Sequence, residues 1–138
     1  MIAYLDSSVL LRVVLGQRGR LKEWRAVREG IVSALAEVEC LRTLDRLRSR
    51  GAITYQDLSI RREAVYRLLE EIEIVEPTRP ILARASLPLA TPVGALDAIH
   101  LATAMLWRES FSADLVFATH DAGLGSAARA SGFTVVGI

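Results

Sequence analysis

Cysteine is almost missing from the chain: Cys40 is the single one. One thiol excludes an intramolecular disulfide and any cysteine-rich zinc site, and it reads as a small core residue. No apolar run approaches the ~20 residues that a membrane span needs. The start, Met-Ile-Ala-Tyr-Leu-Asp, has no basic region ahead of its apolar stretch, so it is not a signal peptide and a cytoplasmic location is expected. Internal repeats, low-complexity tracts and linkers are also missing. Histidine occurs twice and lysine once, as Lys22, so sixteen of the seventeen cations are arginine. Guanidinium forks suit phosphate and carboxylate recognition, although a coding bias toward arginine would give the same count. An excess of either charge is absent, with seventeen cations against sixteen acids and a formal net charge of +1. That balance argues against a generic, charge-driven nucleic-acid binder, whose domain would be clearly basic.

What is present describes an ordinary packed domain. The 138 residues fit one domain, expected over 1–138, and leave no room for two. Such a chain buries about two thirds of its unfolded surface. With 51% hydrophobic and 24% charged residues it is not a disordered segment.

Short apolar runs alternate with longer helical stretches. Residues 2–5 read as a strand that stops at Asp6-Ser7-Ser8, and 9–15 as a helix closed by Gly16. A short helix is expected over 20–29, stopping at Gly30, and a very short strand over 31–33. Residues 34–50 read as a long helix ended by Gly51. Thr54 with Asp57 three residues on resembles a capping box and opens a helix over 54–71. A strand over 72–75 and a short helix from Thr78 to about Ser86 follow. Thr91 before Pro92 predicts the start of a helix running to about Arg108. Residues 115–119 read as a strand, 121–131 as a helix closed by Gly132, and 133–136 as the last strand. Strands separated by helices imply right-handed crossovers and a mostly parallel sheet, and uniformly apolar strands imply helices on both faces. In such a sheet ligands sit outside the carboxyl ends of the strands.

Carboxylates cluster at those ends. Asp6 follows the first strand and Asp121 the fourth, each of which also fits a helix N-cap. Asp97 lies in Leu96-Asp97-Ala98-Ile99-His100-Leu101-Ala102, too far past Thr91 to cap it and within a helix apolar nearly all round. A buried, unpaired carboxylate is costly, so Asp97 is a ligand or catalytic candidate unless an arginine pairs with it. Glu37 and Glu39 are two apart and point about 200° from each other on a helix. Periodicity puts Glu37 near Leu41 and Leu44 and Glu39 beside Arg42 and Arg46, which leaves open which of them serves a site. Converging carboxylates with no cysteine and few histidines describe an oxygen-ligand site for Mg²⁺ or Mn²⁺. Such ions activate water and stabilise phosphodiester cleavage, which points to phosphoryl-ester hydrolysis.

Four segments, spread along the chain, resemble a PIN-domain ribonuclease of the VapC type, the toxin of bacterial toxin–antitoxin pairs. They are Tyr-Leu-Asp-Ser-Ser at 4–8, Ser-Ala-Leu-Ala-Glu-Val-Glu-Cys-Leu-Arg at 33–42, Leu-Asp-Ala-Ile-His-Leu-Ala-Thr-Ala at 96–104, and Ala-Thr-His-Asp at 118–121 with Ala-Ala-Arg-Ala-Ser-Gly-Phe at 127–133. The resemblance implies a PIN-like three-layer α/β/α sandwich and metal-site carboxylates at Asp6, Asp97 and Asp121. Its second acidic motif sets the glutamate six residues after a serine and three before an arginine. Ser33 and Arg42 then select Glu39, with Glu37 in reserve. Ser7 and Thr119 would orient carboxylates or water. The implied activity is Mg²⁺-dependent cleavage of RNA, with Arg42 and Arg46 as first candidates for holding phosphates. A homodimer and a cognate antitoxin that occludes the site are implied as well. His100, Trp24 and Trp107 are expected as packing residues, and Asp114 as a surface residue.

Two other readings are weighed. A haloacid-dehalogenase-type phosphatase also begins with a strand and an aspartate, but it needs a second aspartate where Ser8 stands. A catalytically inactive, partner-binding PIN-like domain would have to tolerate Asp97 without metal. For the ribonuclease reading the charge sum changes meaning: an acidic crevice set among arginines also nets near zero.

Overall fold

A computed structural model describes residues 1–138. Its centre is Tyr4, one of the largest side chains with no solvent exposure, on a strand flanked by strands on both sides. Five strands form one sheet: β1 (Ile2–Leu5), β2 (Glu29–Ser33), β3 (Glu73–Val75), β4 (Leu115–Ala118) and β5 (Thr134–Val136). Their order is β3-β2-β1-β4-β5, and every neighbouring pair is parallel. Six helices connect them: α1 (Ser7–Val14), α2 (Leu35–Ser49), α3 (Tyr55–Glu70), α4 (Arg79–Ala85), α5 (Ala95–Phe111) and α6 (Ala122–Ala130). No helix is long and apolar enough to cross a membrane.

Side chains alternate across a strand, so each strand feeds two cores. Ala3, Leu5 and Val32 pack under Val9 and Leu10 of α1, Cys40 and Leu44 of α2, and Val65 and Leu69 of α3. Tyr4, Ile31 and Phe117 face the opposite way, against Leu101, Ala104 and Trp107 of α5 and Leu124 and Ala127 of α6. The result is a three-layer α/β/α sandwich, and burial on both faces explains why the strands read as unbroken apolar runs.

The sequence expectations fail in three places. The helix expected over 20–29 is only a 3₁₀ turn at Trp24–Ala26. Residues 18–25 carry four cations and a glycine, with Leu21 the one buried side chain, so no apolar stripe exists to hold a helix down. Its last residues are taken by β2, which starts at Glu29 opposite Ile2, and Gly30 lies within that strand. The helix opened by Thr91-Pro92 begins instead at Ala95, with Gly94 at the N-cap. Leu89 and Val93 pack against the second core, so the chain stays irregular until Gly94. The capping box at Thr54 and Asp57 forms as the spacing predicts.

The order of the strands fixes where a ligand can sit. From β1 the chain moves outward to β2 and β3, then returns to the other flank as β4 and β5. The switch point lies between the carboxyl ends of β1 and β4. There Leu5 is in register with Ala118, and the Asp6 amide donates to the Ala118 carbonyl at 3.0 Å.

Candidate active site

Asp6 leaves β1 at this switch point and caps α1, and only 4% of it is exposed. Its Oδ2 accepts from Ser8 Oγ at 2.6 Å and from Thr119 Oγ1 at 2.9 Å. Thr119 Oγ1 in turn accepts from the Asp121 amide at 3.0 Å, and Ser8 Oγ accepts from the His120 amide at 3.0 Å. Two hydroxyls thus tie the end of β1 to the end of β4 and fix the Asp6 carboxylate. Ser7 Oγ lies farther away, 3.4 Å from Asp6 Oδ1. Ser8 stands where the phosphatase reading requires an aspartate; the signal for its role here is the second hydroxyl in Asp6-Ser7-Ser8.

Glu39, not Glu37, meets this cluster. Its Oε1 accepts from Nε2 of His100, which has no solvent exposure. The same Nε2 stands 4.0 Å from Asp6 Oδ1, and Nδ1 lies 2.6 Å from the Tyr4 hydroxyl. Burial pulls the His100 imidazole toward neutrality, but the hydrogen bond to Glu39 and the charges of Glu39, Asp6 and Asp97 outweigh it and hold its pKa above the ordinary histidine value. Burial, then the Asp6 charge, raises the Tyr4 phenol well above its usual range and keeps it protonated. His100 is therefore buried, as a packing residue would be, yet it bridges two strand and helix systems by hydrogen bonds. Its position one turn after Asp97 was the signal that could have revealed this.

Asp97 is in the first turn of α5, not in its interior. A carboxylate is favoured there by the free N–H groups and the helix dipole. Desolvation nevertheless raises its pKa, followed by the charges of Asp121 and Asp6, with Glu39 adding less and His100 opposing. Asp121 is exposed and caps α6, its Oδ1 accepting from the Leu124 amide at 2.8 Å. The charges of Asp6, Glu39 and Asp121 all bear on Asp97, which carries the electrostatic cost.

Beside Glu39, a hollow of about 290 Å³ is lined by Ser7, Val38, Arg42, Thr43, Arg46 and Leu96. Arg42 pairs there with Asp45 at 3.2 Å, and Arg46 donates to Thr43 Oγ1 at 2.9 Å. Glu37 is half-buried, away from these contacts, and Asp114 is exposed. Trp107 is buried and donates through Nε1 to Glu73, while Trp24 is partly buried against the first core.

A five-stranded parallel sandwich with acids at this switch point is the architecture of a PIN domain. The PIN domain family model matches residues 3–130, and the chain belongs to that family. Among individual proteins it is similar to Ribonuclease VapC47 of Mycobacterium tuberculosis (strain CDC 1551 / Oshkosh), 28% identical over 137 residues, covering 94% of this chain and 92% of that protein. Its fold is similar to FitAcB from Neisseria gonorrhoeae, with a TM-score of 0.71 at 18% identity over 98% of this chain and 96% of that one. It also resembles a chain of a toxin–antitoxin complex from Klebsiella pneumoniae, with a TM-score of 0.64 at 20% identity over 86% of each.

Proposed function

We propose that the chain is a metal-dependent endoribonuclease, the toxin of a toxin–antitoxin pair, built on a single PIN domain over residues 1–138. The observation that carries this reading is the convergence of Asp6, Glu39, Asp97 and Asp121 at the β1/β4 switch point. The VapC47 relative and the toxin–antitoxin neighbour support the biological role. The acid cluster is not a dehydrated metal cage: no three carboxylate, imidazole or thiol groups stand close enough together to hold an ion directly. Glu39 Oε1 is engaged by His100 and Asp121 Oδ1 by Leu124. The donor set instead fits a hydrated hard cation, because Mg²⁺ keeps several waters and takes one or two carboxylates directly. Asp97, crowded by like charges, is the group whose repulsion a cation would relieve. Mg²⁺, or Mn²⁺ in its place, would be held by Asp6, Glu39, Asp97 and Asp121.

When bound, such an ion supplies a Lewis acid for the phosphoryl oxygens and lowers the pKa of water. The chain supplies position. Ser8 and Thr119 lock Asp6, with Ser7 close by, and Thr119 also fixes the backbone that carries Asp121. His100 holds Glu39 toward Asp6. Arg42 and Arg46, at the rim of the hollow beside Glu39, would hold phosphates of the RNA. A cognate antitoxin covering the crevice and a homodimer complete the proposal.

The test is cleavage of end-labelled single-stranded RNA with Mg²⁺, then with chelator. Asp6→Asn and Asp97→Asn each lower the rate by at least about a hundredfold, and chelation abolishes it. Full activity in both variants would refute the mechanism.

A further inference from the structure

A hollow larger than the one beside Glu39 lies away from the carboxylates. It encloses about 530 Å³ and is lined by the segment between α1 and the Trp24 turn, with Arg18, Arg20, Lys22 and Arg25 on its walls and no acid. Residues 16–28 hold five cations against one acid, although the whole chain nets only +1. None of the four lining cations has a carboxylate partner, whereas Arg42, Arg48, Arg67 and Arg84 are all paired on other parts of the surface. Like charges packed this closely repel one another, and the chain leaves that repulsion unrelieved.

The segment is nonetheless firmly placed. Arg12 Nη1 donates to the Gly19 carbonyl at 2.8 Å, and Leu21 is buried in the first core. Leu21 also packs on Gly137, whose φ of +101° and close approach to the Thr119 carbonyl exclude a side chain there. A second hollow of about 230 Å³ shares Arg20 and Lys22 with the first and reaches His120 and Gly137. His120 donates through Nδ1 to the Gly137 carbonyl at 2.7 Å and directly precedes Asp121. The second hollow, whose wall also carries Glu23, thus brings the basic segment to His120, the residue before Asp121 at the end of β4.

We propose that Arg18, Arg20, Lys22 and Arg25 form a phosphate track that carries the RNA strand into the crevice. This deepens the ribonuclease reading and rests on it. From Gly16 to Arg25 the exposed residues are two glycines, Gln17 and the four cations, while Leu21 is turned into the core. Four cations with no acid on the wall of the larger hollow suit a sugar-phosphate backbone of any sequence. An acidic peptide laid along it would meet Asp121 and its neighbours; an RNA strand must reach those carboxylates to be cut.

The experiment measures fluorescence anisotropy of a labelled single-stranded RNA across a KCl series. It is run with a non-hydrolysing Ca²⁺ buffer, and cleavage with Mg²⁺ is followed in parallel. Replacing all four cations by alanine weakens affinity at ~0.1 M salt by at least about tenfold and flattens the log K against log[salt] slope by nearly 3, at about 0.7 per phosphate contact. A charge-matched comparison separates location from net charge. Arg18→Ala/Arg20→Ala weakens binding, while Arg50→Ala/Arg129→Ala, at the far ends of α2 and α6, leaves it unchanged. If the fourfold variant binds RNA as the parent does, with the same slope, while the parent cuts RNA, the track is overturned and the ribonuclease reading stands. Unchanged RNA affinity with weakened binding of poly-glutamate would assign the segment to an acidic peptide and also overturn it. A parent chain that neither binds nor cuts RNA would remove both proposals.

Discussion

Replacing His100 by alanine is expected to be among the most destabilising single changes in this chain. Three consequences follow from one side chain. The Tyr4 hydroxyl, in a residue with no solvent exposure, loses the Nδ1 partner at 2.6 Å, and an unpaired buried hydroxyl costs about 1–3 kcal/mol. Glu39, whose side chain is 22% exposed, loses its hydrogen-bonded cation beside Asp6. The imidazole volume becomes a cavity in a region where its neighbours Tyr4, Leu101 and Thr103 are fully buried. These terms overlap, and removal of one partner from a buried charged pair typically costs about 3–5 kcal/mol in all. With a urea m-value of roughly 2 kcal/mol/M for a domain of this size, the denaturation midpoint falls by about 2 M.

A double-mutant cycle isolates the Tyr4 part. Tyr4→Phe alone leaves Nδ1 without its hydroxyl partner, but in the His100→Ala background it removes the orphaned hydroxyl, so the two losses are not additive, by about 1–2 kcal/mol. The pH dependence has a definite sign. Because the folded His100 pKa lies above the ordinary value, its contribution is fully present below the unfolded pKa of about 6.5 and is lost as pH rises through the folded pKa. The gap between parent and His100→Ala therefore narrows as pH rises above about 6.5. Urea melts followed by circular dichroism in chelator measure all three effects. A loss below about 1 kcal/mol, strict additivity with Tyr4→Phe, or a gap that widens with pH refutes the bridging role assigned here.

Two further outcomes follow from the same cluster. Asp97 has a raised pKa from burial and from Asp121 and Asp6, so its ionised form opposes folding at neutral pH; Asp97→Asn raises the thermal midpoint of chelated protein and abolishes the stabilisation that Mg²⁺ gives the parent, both read by a thermal scan, and a lowered midpoint in chelator contradicts the repulsion. Cys40 is fully buried and its thiol is pushed up to about 12, by burial first and then by Glu39 and Asp6; native protein resists alkylation near pH 8 while urea-unfolded protein reacts at the rate of a free thiol, and comparable native labelling, read by mass spectrometry, would show the α1–α2 packing to be wrong.

The parts of this molecule that the sequence reveals are those specified over short distances. Thr54 and Asp57 announce α3 because a capping box closes within four residues. Unbroken apolar runs announce strands covered on both faces. Asp6 and Asp121 announce themselves because a strand end is a local event. The site beyond them is held by contacts between remote residues: Thr119 with Asp6 across 113 positions, His100 with Tyr4 across 96 and with Glu39 across 61. No periodicity can register such pairs. For that reason helical spacing left Glu37 and Glu39 open until a motif chose, and His100 read as packing. The misplaced start of α5 has the reverse cause: Thr91-Pro92 is a sound local signal, overridden by the packing of Leu89 and Val93.

The same distinction explains the charge sum. Some arginines on α2, α3 and α4 are matched by acids within a helical turn or on the adjacent helix, as with Arg42 and Asp45, Arg67 and Glu63, or Arg84 and Glu109. Two unpaired groups lie toward the end of β4. One is the set Asp6, Glu39, Asp97 and Asp121, none of which pairs with Lys or Arg; the other is Arg18, Arg20, Lys22 and Arg25, of which Arg20 and Lys22 line a hollow that reaches His120. Opposite charges free to associate on a surface would relax into ion pairs worth up to about 1 kcal/mol each. Here the acids are fixed by Ser8, Thr119, His100 and the α6 cap, and the basic segment is fixed by Leu21 and Arg12, so neither set can collapse onto the other. A chain of near-zero net charge thus holds two separated fields of opposite sign. On the proposed ribonuclease reading, that separation would let one surface attract a polyanion and the adjoining crevice concentrate cations where the strand arrives.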